Sequence, residues 1–373
     1  MKMEININIS EIPEVSKEAA EEYGKNIDVM IKKVDQDMSE KENLNQLIGD
    51  NPLNKMEDNH KNHANFMYNS FQLNDPELFL NTIIWVYKTY NNHGFSYDYF
   101  PVELRSWISA VKKYLSTETQ NSIIKVYKWM LNYHQIFIEE SKKAEVVESE
   151  IPDDYLDLYN QFLKHLLLGD YNKCLLVSRE NVETKKEMLE FFEYVIKPTL
   201  YKIGTLWEDG EISIAQEHLA SSIVTRINSF LYSQFISLDV TKGKAVISSI
   251  ANEFHEIGAR IIADSLETNG WDVDYLGANT PLNDLIDLLI KQEPLLVGLS
   301  VSMPFNVDNL NYAVKKIKTH SELNDIKILV GGKVLNDNRD LWKKIDADGW
   351  AEDSQEAIQV AEGWLKETRD RDV

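Results

Sequence analysis

The chain has 373 residues, 43% of them hydrophobic and 10% aromatic, enough apolar surface for two or three cored domains and too much for a disordered polypeptide. A formal net charge of -22 with no compact basic cluster argues against autonomous DNA binding, because duplex affinity needs a basic face that neutralises phosphates. The single cysteine, Cys174, excludes an intramolecular disulfide and a thiolate metal cluster. No apolar run approaches the roughly 20 residues of a membrane span, and Met1 to Ser10 lacks the pattern of a signal peptide. A cytoplasmic protein with no membrane association is expected.

Residues 1 to 148 read as helical, with no alternating β-branched run to indicate a sheet. Ile12 to Ser39 reads as one long charged helix, capped or interrupted near Gly24, and the polar stretch Asn43 to Asn59 as a turn and the most mobile segment. Helical spacing resumes at Phe66, Met67 and Phe71; Asn74-Asp75-Pro76 closes that helix and opens the next, with Asp75 as its cap. Further helices are expected at Pro76 to Tyr90, Tyr99 to Leu115 and Glu118 to Lys143, giving an all-α domain of about five helices. Its aromatic stripe, including Trp85, Trp107 and Tyr133, reads either as core or as the wall of a chromophore pocket. His134, mid-helix between apolar neighbours, reads either as a satisfied core histidine or as the neighbour of a haem or bilin.

Val146 to Pro152, with Glu148 and Glu150, is a charged connector and marks the first domain boundary. Four helices follow in residues 149 to 241, at about Asp154 to Leu168, Asp170 to Glu180, Thr184 to Trp207 and Ser213 to Ser237, which make a four-helix bundle. Gly169-Asp170 and Asp209-Gly210 are its turns, and Pro198 should kink the third helix. The Asp209-Gly210 turn sets Trp207, at the end of one helix, against Glu217 and His218 on the next. The alternative to that reading is a Trp plugging a bundle end beside a solvent-facing Glu-His pair.

Residues 242 to 373 alternate strand and helix. Strands are expected at Lys244 to Ile250, Asp272 to Leu276, Leu295 to Val301, Ile326 to Val330 and Gly349 to Ala351, and helices at Ala259 to Thr268, Pro281 to Lys291, Asn306 to His320, Asn338 to Lys344 and Ser354 to Lys366. This is the pattern of a doubly wound parallel sheet with right-handed crossovers. Glu253-Phe254-His255-Glu256-Ile257-Gly258 lies beyond the carboxyl end of its first strand, where open α/β sheets bind ligands. A lone loop histidine is ordinarily just solvated. Here Glu253 stands two residues before His255, close enough to accept the imidazole N–H not used for ligation, and Gly258 leaves the helix start bare for a bulky ligand.

Glu253-x-His255-x-x-Gly258 resembles the Asp/Glu-x-His-x-x-Gly signature of cobalamin-binding domains, in which the histidine replaces the nucleotide base as lower ligand of cobalt. Ser300-Val301-Ser302 and Gly331-Gly332 fall where that family places the Ser-x-Leu and Gly-Gly elements lining the channel for the displaced nucleotide tail. The resemblance covers residues 150 to 373 and implies a Rossmann-like cobalamin domain at 242 to 373. It departs at Ser302, where many relatives have Leu, and at Glu253 in place of Asp, a substitution typical of the light-sensing branch. The run Pro198 to Ser221 resembles the cap bundle of adenosylcobalamin photoreceptors, in which the Trp shields the upper adenosyl group with Glu and His beside it.

The resemblance implies a corrin held between His255 below and Trp207, Glu217 and His218 above, with adenosylcobalamin as the expected form. Two functions compete. In a light sensor, loss of the adenosyl group drives domain rearrangement and lets His218 take the upper position; signalling then runs through a protein partner or self-association rather than catalysis. In a corrinoid shuttle, methylcobalamin is presented to the proteins of a methyltransferase system. The fold alone does not decide between them, but the Trp207, Glu217 and His218 set favours the light sensor, because a shuttle must uncover its upper face repeatedly. More weakly, residues 1 to 148 resemble the globin-like domain of photocobilins, which pair cobalamin with biliverdin. A bilin here would be held without a thioether, by residues such as His134, Tyr133, Trp107 and Trp85, because Cys174 lies outside that domain.

Overall fold

A computed structural model of the chain describes residues 7–143, 150–236 and 239–371, and these divide between two compact units. The first comprises residues 1–146 with 208–211; the second comprises residues 147–207 with 212–373. Most of the charged connector expected at Val146 to Pro152 falls outside the described residues.

The first unit is all helical: α1 (Lys17–Lys25), α2 (Ile27–Ser39), α3 (Leu44–Ile48), α4 (Leu53–Leu73), α5 (Pro76–Asn92), α6 (Tyr99–Tyr114) and α7 (Thr117–Lys143). Local chemistry sets several of these ends. Ser16 accepts from Ala19 N to cap α1, and Asp75 accepts from Leu78 N at 3.0 Å to cap α5, whose first residue is Pro76. Asn74, with φ +50°, ends α4 in the left-handed conformation that asparagine tolerates. The long first helix is broken at Asn26 into α1 and α2. The stretch Asn43 to Asn59, expected as a turn, is mostly helix. Leu44, Leu47, Ile48 and Met56 are buried there, and this burial outweighs the weak helix preference of the asparagines between them. Asn51 secures the break between α3 and α4, donating to Ile48 O and His93 O at 2.8 Å each.

In the second unit a bundle is built from α8 (Asp153–Leu167), α9 (Tyr171–Asn181), α10 (Lys185–Phe191), α11 (Lys197–Glu208) and α12 (Ile214–Phe235). Thr184 with Glu187 and Ser213 with Gln216 form reciprocal capping boxes that start α10 and α12. The expected third helix is α10 and α11 joined by a π-helical turn, Phe192–Ile196. Pro198 follows at once; without an N–H it cannot bond back along the helix, and the wide turn stands immediately before it.

The sheet has five parallel strands, β1 (Lys244–Ser249), β2 (Asp272–Tyr275), β3 (Leu296–Ser300), β4 (Lys327–Gly331) and β5 (Gly349–Trp350), in the order β2-β1-β3-β4-β5. Register pairs such as Ile247 with Gly298 and Leu299 with Val330 fix it. Helices α13 (Ile257–Thr268), α14 (Leu282–Gln292), α15 (Val307–Lys318), α16 (Lys333–Asp337), α17 (Leu341–Lys344) and α18 (Ser354–Arg371) complete the alternation. The helix expected at Asn338 to Lys344 is therefore α17 alone, and α16 starts directly after Gly332. That glycine has φ +109°, and a Cβ on it would stand 2.1 Å from Val301 O, so no other residue fits.

Helix α13 joins the α/β layer to the bundle: its Ile257 and Ile261 belong to the bundle's core with Met188, Ile223 and Ile227, while the strands have a separate core. Polar ties reinforce this junction. Tyr232 on α12 donates to the Glu267 carboxylate at 2.7 Å, and Lys185 Nζ donates to Thr268 O at 3.0 Å and Asn269 Oδ1 at 2.9 Å.

Candidate functional site

The strand order reverses between β2-β1 and β3-β4, and the region beyond the carboxyl ends of β1 and β3 is where open α/β sheets hold ligands in a crevice. His255 lies in the β1 loop, and Ser300 and Ser302 lie at and beyond the end of β3. The β1 loop is pinned by backbone and amide bonds: Glu253 N donates to Ile250 O, Asn279 N to Glu253 O at 2.9 Å, and Asn252 N to Asn279 Oδ1 at 2.8 Å.

Glu253 is fully buried, and both of its oxygens are engaged. Oε1 accepts from His255 Nδ1 at 2.6 Å and from His255 N at 3.0 Å. Oε2 accepts from Ser302 N at 2.9 Å, Met303 N at 3.0 Å and Asn306 Nδ2 at 3.2 Å. Burial works to raise the carboxyl pKa, but the bond and charge of His255 and the two backbone donors outweigh it and hold the group at about 2. The carboxylate therefore stays ionised, and as an acceptor it places the imidazole proton on Nδ1. The bond to Glu253 raises the His255 pKa; burial opposes the shift, and the charges of Glu253 and Glu217 add to it.

With Nδ1 committed, His255 Nε2 carries its lone pair outward on a side chain that is 60% exposed. An imidazole backed by a carboxylate is a strong donor to a transition metal. Among the described residues no group of three or more His, Cys, Asp or Glu is placed to hold a bare metal ion. A single histidine with no co-ligands fits a metal that arrives already chelated by a macrocycle. Around it, Phe254 is 70% exposed, and a Cβ on Gly258 would meet nothing within 4 Å, so the helix start is open to a large ligand. Glu256 is tied down by Ala278 N, which donates to Oε2 at 3.1 Å, and by Tyr275 Oη, which donates to its carbonyl at 3.1 Å. Ile257 faces the bundle core. The strand ends are laced together: Ile250 N donates to Ser300 O at 3.2 Å, and Val301 N donates to Gly331 O at 3.0 Å, next to Gly332.

On the bundle, the Ser213 cap starts α12, with Glu217 in its first turn and His218 directly after it. Glu217 Oε2 accepts from His218 Nδ1 at 2.7 Å, and its Oε1 accepts from Ser221 Oγ at 2.7 Å. The His218 side chain is 71% exposed. Trp207 packs half-buried against the bundle core.

Three of the four residues named for a second chromophore have partners within the N-terminal helices. His134 Nδ1 pairs with Tyr87 Oη at 2.9 Å, and burial lowers its pKa. Trp107 is fully buried, donates to Glu103 Oε1 at 3.1 Å and stacks on His63. Tyr133 donates to Glu11 and packs on Trp129, while Trp85 is half-buried on α5. Sequence reasoning passed over Met303, Asn306, Asn279 and Ser249, whose Oγ donates to His255 O at 3.2 Å. The only signal for Asn306 was an amide side chain in the loop after β3, at the point where the strand order reverses.

Residues 243–359 match the family described as the B12 binding domain, and residues 158–232 match a second family of the same description. Dimethylamine corrinoid protein 2 of Methanosarcina acetivorans is 25% identical over 190 residues, which cover 49% of this chain and 87% of that protein. The HTH-type transcriptional repressor CarH of Myxococcus xanthus is 34% identical over 113 residues, covering 30% of this chain and 37% of the repressor. Among solved structures, the Methanosarcina barkeri monomethylamine corrinoid protein superposes with a TM-score of 0.49 at 17% identity, over 56% of this chain and 98% of that one.

Proposed function

We propose that this chain, whose residues 158–232 and 243–359 are B12 binding domains, holds a corrinoid between bundle and sheet with His255 on the lower face of cobalt, and serves as a corrinoid carrier for a partner protein. The observation that carries the first part is the Glu253–His255 pair, in which a buried, five-donor carboxylate fixes an imidazole whose Nε2 is free and outward. A bound corrinoid supplies the cobalt–carbon bond; the protein binds, orients and shields it. Glu253 strengthens the imidazole donor, the open start of α13 at Gly258 receives the ring, and Ser300, Ser302, Gly331 and Gly332 border the crevice for the nucleotide tail. Support for the carrier role comes from the corrinoid proteins, which this chain matches over most of their length.

A second reading, an adenosylcobalamin light sensor, is favoured by the Trp207, Glu217 and His218 set and by the match to a repressor rather than a carrier. Trp207 would then cover an upper adenosyl group, and His218, held by Glu217, would take its place once the group is lost. Biliverdin as a second chromophore rests on the N-terminal resemblance alone.

Protein loaded in the dark with methylcobalamin or adenosylcobalamin separates the two. A carrier binds both forms and keeps its size on illumination. A sensor prefers adenosylcobalamin, and green light changes its oligomeric state or its partner binding in a way that His218→Ala alters. Failure to bind either cobalamin overturns both readings.

A further inference from the structure

Residues 208–211 belong to the first compact unit, although in sequence they join α11 to α12 of the second. This short turn follows Trp207 and leads to the Ser213 cap of α12, with Glu217 and His218 just beyond. The end of α5 holds the turn at three successive residues. Lys88 Nζ pairs with Asp209 Oδ1 at 2.7 Å, and both side chains are mostly shielded from water, so salt screens the pair little. One turn further along α5, Asn92 Nδ2 donates to Glu208 O at 3.0 Å. Gly210 has φ +72°, and a Cβ on it would stand 2.9 Å from Asn92 O, so the turn lies flush against the helix end where only glycine fits. A two-helix connection in a bundle closes with a short turn of its own. Here a lysine and an asparagine of another helix are added to hold it.

We propose that Lys88 and Asn92 are positioning residues for the upper face of the corrinoid site: by holding the turn at Glu208, Asp209 and Gly210 they fix where α11 ends and α12 begins, and so govern access to the upper axial position. This inference rests on the reading of Trp207 and His218 as the cover of that position. The argument is geometric. The capping box makes the start of α12 a rigid piece, so a displaced turn carries His218 with it, and Trp207 lies one residue before the turn on the other side. Releasing the turn removes no group that touches the corrinoid. It changes how well the cover closes, and it gives the N-terminal helices a task that needs no second chromophore.

The test uses the full-length protein loaded with aquacobalamin, with azide as the probe of the upper position, read by stopped-flow absorption. In the parent protein azide substitution is expected to be slower than in free aquacobalamin. Lys88→Ala and Asn92→Ala are each expected to speed it by about fivefold or more, the lower end of a typical coupling between sites, while cobalamin affinity stays within about twofold of the parent. Exchanging the pair, Lys88→Asp with Asp209→Lys, is expected to restore the parent rate, which a role in folding alone would not do. If the exchanged protein does not fold, Asn92→Ala and Gly210→Ala decide by the same rate. Rates unchanged in Lys88→Ala and Asn92→Ala with aquacobalamin bound, or an exchanged protein that folds and stays fast, overturn the proposal alone. A parent rate equal to that of free aquacobalamin overturns the reading of Trp207 and His218 as the cover, and the proposal with it.

Discussion

Two carboxylate–imidazole pairs in this molecule have the same bond length and opposite surroundings. Glu253–His255 and Asp35–His60 are both 2.6 Å pairs through Nδ1. In the first the carboxylate is 0% exposed and the imidazole 60%; in the second the imidazole is 0% exposed and the carboxylate 24%. His60 is stacked on Tyr99, and its Nε2 is buried with no hydrogen-bond partner, as is that of His63 one turn along α4. A carboxylate locked inside with its imidazole outside leaves a lone pair for an incoming metal. The reverse arrangement makes a polar strut within a helical core.

The comparison can be broken from either side. His60→Ala has the largest expected effect, about 3 kcal/mol of stability, because it empties a packed interior position; denaturation followed by tryptophan fluorescence reads it, and the cobalamin spectrum should not move. His255→Ala is the converse. It is expected to weaken cobalamin binding by about 10–100-fold in a spectroscopic titration and to leave the stability of the N-terminal helices unchanged. If His60→Ala altered the cobalamin spectrum, the division between strut and ligand would fail.

A third carboxylate sharpens the point. Asp264 on α13 is buried and its pKa is pushed up to about 6, since burial outweighs the pull of Arg260, whose Nε donates to it at 2.8 Å. It has only one such partner where Glu253 has five donors, and its Oδ2 has none. The folded state thus holds this proton more tightly than the unfolded chain, whose aspartates titrate near about 3.9. The group costs stability at neutral pH, and that cost disappears as the pH falls through about 6 towards 4. Asp264→Asn should remove this pH dependence and stabilise the apo protein by on the order of 1–2 kcal/mol at pH 7, read as the pH profile of the urea midpoint. The smallest effect is expected from His134→Phe, at most about 1 kcal/mol for one half-buried hydrogen bond, measured in the same way.

The sheet was legible because each strand is a short apolar run between turn residues, and the observed ends lie within a residue or two of the expected ones. The loop dyad was legible because its partners are two residues apart. Asn43 to Asn59 misled because polarity was weighed above the buried positions Leu44, Leu47, Ile48 and Met56. The irregularity of the third helix was legible from Pro198, though not its form as a π-helical turn just before that residue; the short α16 after Gly332 was not legible. Asn306 and Asp35 were hidden by their distance in sequence: one meets Glu253 from 53 residues away and the other meets His60 from 25.

The central claim is that His255 is the axial ligand of cobalt, and the parent protein labelled with 15N-histidine and loaded with cob(II)alamin tests it most directly. A doublet splitting from a 15N nucleus is expected in the electron paramagnetic resonance spectrum; a 14N triplet from the nucleotide base would contradict it.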